Sequence, residues 1–252
     1  MKNIVSLVFV TLFIFSCKNK EADKVSNKSN TLAQNETNSK LQDDEWTILF
    51  DGTSFDQWKE YLKDGVSENW KIEGDAMVLY PPKERKNREG YNLVTKKEYT
   101  DFILSLDWKI SEGGNSGIFW GVNEDPNLHE AYQTGPEIQI LDNEKHPDAK
   151  AGTTHQAGAL YDMVPPTKDV TNPVGEWNNC VVTINHKANS GSIELNGVEI
   201  VTFPLNDPEW GVMVSKSKFA NWAEFGKFPT GKIGLQDHGN QVSFKNIKIK
   251  EL

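Results

Sequence analysis

Apolar and polar positions alternate with a period of two through most of the chain beyond residue 45, the spacing of strands whose side chains point to opposite faces. Phe102, Leu104, Leu106, Trp108 and Ile110 alternate with Ile103, Ser105, Asp107 and Lys109, which predicts one long strand. Val182 and Ile184 lead towards the turn residues Asn189-Ser190-Gly191. Ile193 and Leu195 then lead to Asn196-Gly197, and Val198 and Ile200 resume the pattern. Asn-Gly between alternating runs predicts a tight hairpin, because a type I′ turn needs positive φ at both central positions. In the last strand Val242 and Phe244 are followed by Ile247 and Ile249, a slip of one residue that a β-bulge near Lys245-Asn246 accommodates. Only Asp207 to Phe225 carries a trace of helix, and Pro208 and Gly211 weaken it. No internal repeat is visible. Many short strands separated by turn residues predict an all-β protein, an antiparallel β-sandwich or jelly roll.

The N-terminus follows other rules. Met1-Lys2-Asn3 is a short basic start, Ile4 to Phe15 is almost continuously apolar, and Ser16-Cys17 follows. This is a secretory signal, too short for a membrane-spanning helix, which needs about 20 apolar residues. Ile14-Phe15-Ser16-Cys17 resembles a bacterial lipobox. The resemblance implies cleavage before Cys17 and lipidation there, so residues 1–17 are read as a lipoprotein signal. The expected location is the cell envelope, anchored to the membrane by lipid, with Lys18-Asn19-Lys20-Glu21-Ala22-Asp23 suiting the outer membrane. Residues 18–44 are polar and have little to bury, so they are expected to form a disordered tether. Residues 45–252 are left as one domain. Once Cys17 is acylated, Cys180 is the only other cysteine, so no intrachain disulfide is available and the core must hold the fold. The formal net charge of −9 argues against nucleic acid and against an electrostatic grip on anionic lipid. Eight Trp supply core and flat surfaces for sugar rings.

Two stretches carry the candidate chemistry. In Gly135-Pro136-Glu137-Ile138-Gln139-Ile140-Leu141-Asp142, alternation puts Glu137 and Gln139 on one strand face. In Gly234-Leu235-Gln236-Asp237-His238-Gly239 it puts Gln236 and His238 on one face. A carboxyl, two amides and an imidazole can bind sugar and move protons if both faces line one concave sheet. Asn115 lies in Gly113-Gly114-Asn115-Ser116-Gly117, where flanking glycines let backbone approach a ligand. The bland readings are a surface-paired Glu137, a turn histidine at His238, a solvated turn at Asn115 and an exposed loop histidine at His155. His129, His146 and His186 have no nameable partner. H-E-x-x-H, C-x-x-C and phosphate-cradling glycine loops are absent from the sequence.

Several motifs in register resemble the 3-keto-disaccharide hydrolase family of bacterial secreted proteins. They are Trp46-Thr47-Ile48-Leu49-Phe50-Asp51-Gly52-Thr53 with Trp58, Gly114-Asn115-Ser116-Gly117-Ile118-Phe119, and Pro136 to Asn143. Gly158-Ala159-Leu160-Tyr161-Asp162, Gly175-Glu176-Trp177-Asn178 and Gly231 to Gly239 follow in order. The resemblance covers residues 45 to 252. It implies a concanavalin-like jelly roll whose inner sheet forms a groove, and activity on glycosides already oxidised at C3.

The chemistry so implied needs a base for the C2 hydrogen, which the C3 ketone acidifies, and a hydrogen-bonding or cationic group for the enediolate. It also needs an acid at the leaving oxygen. Glu137 and His238 are the candidates for base and acid, in either order. Alternatively they hold a divalent metal ion, with His155 as the base. Gln139, Gln236, Asn115, Tyr161 and Lys218 are expected around them as substrate-binding groups. Two other functions stay open. A conventional retaining glycosidase would need a second carboxylate, but Leu141 stands where it would face the groove, and Asp142 reaches it only through a bulge. A sugar-binding lectin would rely on Trp120, Tyr161, Trp177 and the amides.

Overall fold

A computed structural model describes residues 46–85 and 89–252 of the chain. Cys17, the signal and the 18–44 tether lie outside the described residues. The strands are β1 (Thr47–Phe50), β2 (Trp58–Glu60), β3 (Trp70–Glu73), β4 (Ala76–Leu79), β5 (Leu93–Thr95), β6 (Phe102–Ile110) and β7 (Asn115–Val122). They continue as β8 (Glu137–Leu141), β9 (Asn178–Asn185), β10 (Ser190–Leu195), β11 (Val198–Phe203), β12 (Lys232–Leu235) and β13 (Val242–Glu251). The trace of helix condenses to one short α-helix, α1 (Glu209–Ser215), with Pro208 at its N-cap and Gly211 inside its first turn.

All strand pairs are antiparallel and form two sheets. One runs β11-β10-β9-β6-β13-β4-β3, with β1 also pairing with β13; the other runs β2-β5-β12-β7-β8. Their inner faces meet in one core that joins Leu104, Leu106, Phe244 and Ile249 to Ile118, Ile138, Ile140, Ile233 and Leu235. This is the all-β sandwich that the period-two pattern predicts. The larger sheet keeps one face in water, and β9 alternates strictly between buried and half-buried residues. Every residue of β7 and β8 is buried, because loops cover the outer face of the smaller sheet. Phe119 belongs to a second apolar cluster on that face, with Val94, Val122 and Ala131, against which Tyr132 packs.

The local signals operate as their chemistry dictates. Asn196 and Gly197 both take positive φ (51° and 77°) in the β10–β11 turn. The register of β13 on β6 shifts between Lys245 and Lys248, where Asn246 has φ 52°, so the apolar slip is a bulge. Cys180 is a free, buried cysteine, and burial pushes its thiol up to about 12. β8 ends the smaller sheet, and its free edge is met by the segment 157–164. Gly158 N–H donates to Gln139 O at 2.8 Å, Gln139 N–H to Ala159 O at 3.1 Å, and Tyr161 N–H to Glu137 O at 2.9 Å.

Candidate active site

The covered face of the smaller sheet carries a cavity of about 290 Å³ lined by Asn115 from β7, Glu137 and Gln139 from β8, and Gln236 and His238 beyond β12. Tyr132, Tyr161, Lys218, Phe219 and Trp222 complete it from the covering loops. Seven of the residues singled out in the sequence therefore share one wall or mouth. A second space of about 400 Å³ adjoins the first through Asn115, Tyr161 and His238, and extends over His146, Pro147, Asp148 and Ala151.

The strands explain the convergence. Ile138 and Ile140 enter the core, so Glu137 and Gln139 must face outwards. Gln236 continues the β12–β7 ladder, its N–H donating to Gly117 O at 2.9 Å. Asp237, between Gln236 and His238, is clamped by both terminal nitrogens of Arg85 at 2.6 Å each and by the N–H groups of Tyr91 and Gly239 at 3.0 Å each. That clamp fixes the segment from which Gln236 and His238 project.

Glu137 is 6 % exposed and accepts a hydrogen bond from Gln236 Nε2 at 3.3 Å. Burial pushes its carboxyl up to about 8, against the opposing pull of the Lys218 charge and the Gln236 bond. Its side chain lies on the bare backbone of Gly117, where a Cβ would come 2.4 Å from Oε1 and 2.7 Å from Cγ. Gly117→Ala is therefore expected to push the carboxyl out of place. It should cut turnover by at least tenfold, as positioned acid–base groups tolerate little displacement. Steady-state kinetics beside a thermal melt will check this, since general unfolding would lower the melt as well.

His238 reaches solvent at the cavity mouth. Even so, the protein packed around its ring and the neighbouring His146, with ring centroids 6.0 Å apart, hold it below its usual value, despite Asp148 and Asp237 pulling the other way. The two titratable groups are thus driven in opposite directions, the carboxyl towards neutrality by keeping its proton and the imidazole by losing one.

Three amide oxygens, Asn115 Oδ1, Gln139 Oε1 and Gln236 Oε1, are buried without a hydrogen-bond partner in the protein. The orientation of Gln139 is set by two acceptors, Asp148 Oδ2 at 3.4 Å and His155 O at 3.3 Å, so its Nε2 faces them and Oε1 stays unpartnered. Unpaired buried acceptors are costly, and the hydroxyls of a polyol would satisfy them. Phe219 and Trp222 meet edge to face at 5.1 Å, Trp222 lies 5.8 Å from Tyr132, and Phe219 stacks on Phe225 at 3.9 Å. These rings form an apolar wall opposite the amides.

Other sequence-derived candidates fall elsewhere. Trp120 lies on the opposite face of β7 from Asn115, in the core beside Phe203 and Trp210. Trp177 lies on the solvent face of the larger sheet, with the Lys109 and Lys245 ammonium groups 4.8 and 4.6 Å from its ring. Neither is a wall of this cavity, which corrects their reading as sugar platforms. His155 sits behind the cavity: its Nδ1 faces Asp148 Oδ1 and its Nε2 faces Asp162 Oδ1, both at 2.9 Å. With both ring nitrogens occupied by carboxylates, it has none to offer as a base to substrate, and that reading is also corrected. Asp142 does not swing into the groove. Burial would raise its pKa, but the N–H groups of Gly113, Lys145 and Glu144 outweigh this and hold it low as a turn-capping carboxylate.

The metal reading fares no better. Among the described residues no three His, Cys, Asp or Glu side chains converge as a cation site. The remaining groups lining the cavity with Glu137 and His238 are amides, aromatic rings and the Lys218 ammonium, which repels a cation; His146 and Asp148 stand in the adjoining space, where His155 and Tyr161 already occupy the Asp148 carboxylate. This donor set does not suit a resident metal, and no step below is routed through one. Missed in the sequence were Tyr132, Phe219, Trp222, His146, Asp148 and Asp162. All come from irregular segments, where no periodicity assigns a face.

Residues 45–250 match the family described as the 3-keto-alpha-glucoside-1,2-lyase-like domain. The chain is 34 % identical over 234 residues to a 3-keto-disaccharide hydrolase of Bacteroides thetaiotaomicron, a span covering 83 % of this chain and 79 % of the relative. A crystal structure of a candidate glycosyl hydrolase from Parabacteroides distasonis superposes with a TM-score of 0.76 at 32 % identity, covering 82 % of this chain and 94 % of the other. A second from the same organism gives 0.61 at 24 %, over 83 % of this chain and all of the other, which speaks to the fold alone.

Proposed function

We propose, from the premise that this chain belongs to the 3-keto-alpha-glucoside-1,2-lyase-like family, that it hydrolyses glycosides oxidised at C3 by elimination and rehydration. The observation that supports this most is a single cavity lined by both Glu137, whose carboxyl burial pushes towards keeping its proton, and His238, whose imidazole is held below its usual value. Glu137 is the one carboxyl among the described residues lining that cavity, so the pair a retaining glycosidase needs about 5 Å apart is missing there. An acid and a base are present instead, which is what proton abstraction beside a ketone requires.

The steps follow. Neutral His238 takes the proton from C2, and the C–H electron pair moves towards C3, leaving negative charge on the former ketone oxygen. Lys218, whose Nζ lies 4.1 Å from the Tyr161 ring centroid, is the cation placed to stabilise that charge. The pair then returns to form C1=C2 and expels the C1 substituent, whose oxygen receives the proton of Glu137. Water adds at C1, giving its proton to the Glu137 carboxylate, while protonated His238 returns a proton to C2. The net reaction is hydrolysis, and both groups regain their starting states. The hydroxyls of the sugar ring pair with the unpartnered oxygens of Asn115, Gln139 and Gln236, and the adjoining space over His146 and Asp148 takes the leaving group.

The decisive test offers the purified protein a 3-keto-glucoside and its unoxidised parent in deuterated water. Cleavage of the first alone, with deuterium at C2 of the released sugar, is expected, because only the ketone makes the C2 hydrogen removable by a side chain. Equal cleavage of the parent would instead indicate direct displacement. Binding of either sugar without turnover would indicate a carbohydrate-binding module.

A further inference from the structure

Lys218 is held at both ends by a closed circuit of contacts that no step of the reaction uses directly. Its backbone N–H donates to Asp162 Oδ2 at 2.6 Å, across 56 positions of sequence. Asp162 Oδ1 meets His155 Nε2 at 2.9 Å, and His155 Nδ1 meets Asp148 Oδ1 at 2.9 Å. Asp148 Oδ2 accepts the Tyr161 hydroxyl at 3.0 Å, and the Tyr161 ring, 4.7 Å from that of His155, carries the Lys218 ammonium at 4.1 Å. Asp162 is also one of the few non-glycine residues in the left-handed region, at φ 59°, a conformation that turns its carboxylate away from the regular path of the chain.

We infer that Asp162 is a positioning residue, the latch that seats residues 218–222 over the cavity and thereby places Lys218, Phe219 and Trp222. The use of the seated ammonium, to hold the enediolate charge, rests on the function proposed above; the latch itself does not. Three features carry the inference. The Asp162–Lys218 contact is a hydrogen bond from the loop backbone to a carboxylate, and such bonds are about twice as strong as neutral ones. The other oxygen of the same carboxylate is fixed by His155, so the latch is aimed by a group outside the loop it holds. Lys218 makes no ion pair among the described residues; its backbone is held by this bond, and its ammonium lies over the Tyr161 ring that the same circuit orients, with the ring of its neighbour Phe219 farther off at 5.2 Å.

Two variants separate the carboxylate from its backbone. Asp162→Gly keeps the left-handed conformation without strain and removes both acceptors, whereas Asp162→Asn keeps an amide oxygen that can still accept the Lys218 N–H. In the full chain, tryptic cleavage after Lys216 and Lys218, followed by mass spectrometry, should speed up roughly tenfold or more in Asp162→Gly. Cleavage after Lys168, in a different loop, should stay at its wild-type rate. Asp162→Asn should lie between the two proteins. On a 3-keto-glucoside, Asp162→Gly should lose roughly tenfold in kcat/KM. Combined with Lys218→Met it should lose no more than Lys218→Met alone, because a residue acting through another is not additive with it. An unchanged tryptic pattern, or fully additive losses, would overturn the latch. If the wild-type protein cleaves no 3-keto-glucoside at all, the proteolysis arm still decides the latch, and the functional reading fails by itself.

Discussion

Glu137→Gln is expected to lower turnover of a 3-keto-glucoside by about 10²–10⁴-fold, the usual contribution of a positioned acid or base. The amide occupies almost the same space over Gly117 and keeps the contact with Gln236, so what is lost is the proton. The pH profile should change with it. Wild-type kcat/KM should fall at alkaline pH with a midpoint near the value to which burial pushes this carboxyl, about 8, and that limb should be absent in the variant. Stability gives an independent control. The unfolded carboxyl ionises near 4.5 whereas the folded one keeps its proton to about 8. Between those values unfolding releases a proton, so rising pH favours the unfolded chain and stability falls through that window. Glutamine has no proton to release. The variant should therefore melt at or above the wild-type temperature at pH 7, and with a flatter pH dependence. Turnover within tenfold of wild type would remove Glu137 from the mechanism, and a collapsed melt would show that the loss came from unfolding.

His238→Asn should lose activity on the same scale, but at a different step. With the base gone, neither exchange of the C2 hydrogen with solvent nor cleavage should occur. Glu137→Gln should instead still exchange that hydrogen, because proton abstraction precedes departure of the leaving group, yet fail to release it. Deuterium incorporation into unreacted substrate, followed by nuclear magnetic resonance, distinguishes the two. The acid limb of the profile, set by a histidine held below its ordinary value by the packing around it and by His146, should disappear in His238→Asn. The reverse pattern, with exchange surviving in His238→Asn and lost in Glu137→Gln, would exchange the two roles.

The strands, and the groove residues borne on them, were legible in the sequence because alternation assigns faces. Glu137 and Gln139, flanked by core isoleucines, could only point away from the core, and the bulge in β13 was visible as a slip in apolar phase. The same rule could have excluded Trp120, which has the opposite parity from Asn115 on β7 and so had to enter the core. Trp177 offered no such test, because it precedes β9 in a loop and only packing against Lys109 and Lys245 decides where it lies. Asp148, Asp162, Phe219 and Trp222 were hidden for a related reason. Short 3-10 turns such as Pro147–Ala151 carry no periodicity long enough to read. Their contacts also join segments dozens of residues apart, as between Asp162 and Lys218. Lys218 was named as a groove residue, but the carboxylate that seats it needed three dimensions.

The strand that carries Glu137 is also the last strand of its sheet. An edge strand presents unpaired N–H and C=O groups to any chain that can pair with them, and proteins protect such edges from aggregation. Here the protection comes from residues 157–164, the stretch that also supplies Tyr161 and Asp162 and begins two residues after His155. The cover of a sheet edge and part of the cavity wall thus come from one piece of backbone. Changes that loosen this stretch would bare the edge of β8 as well as open the cavity wall, so a variant weakened here is expected to self-associate through that edge.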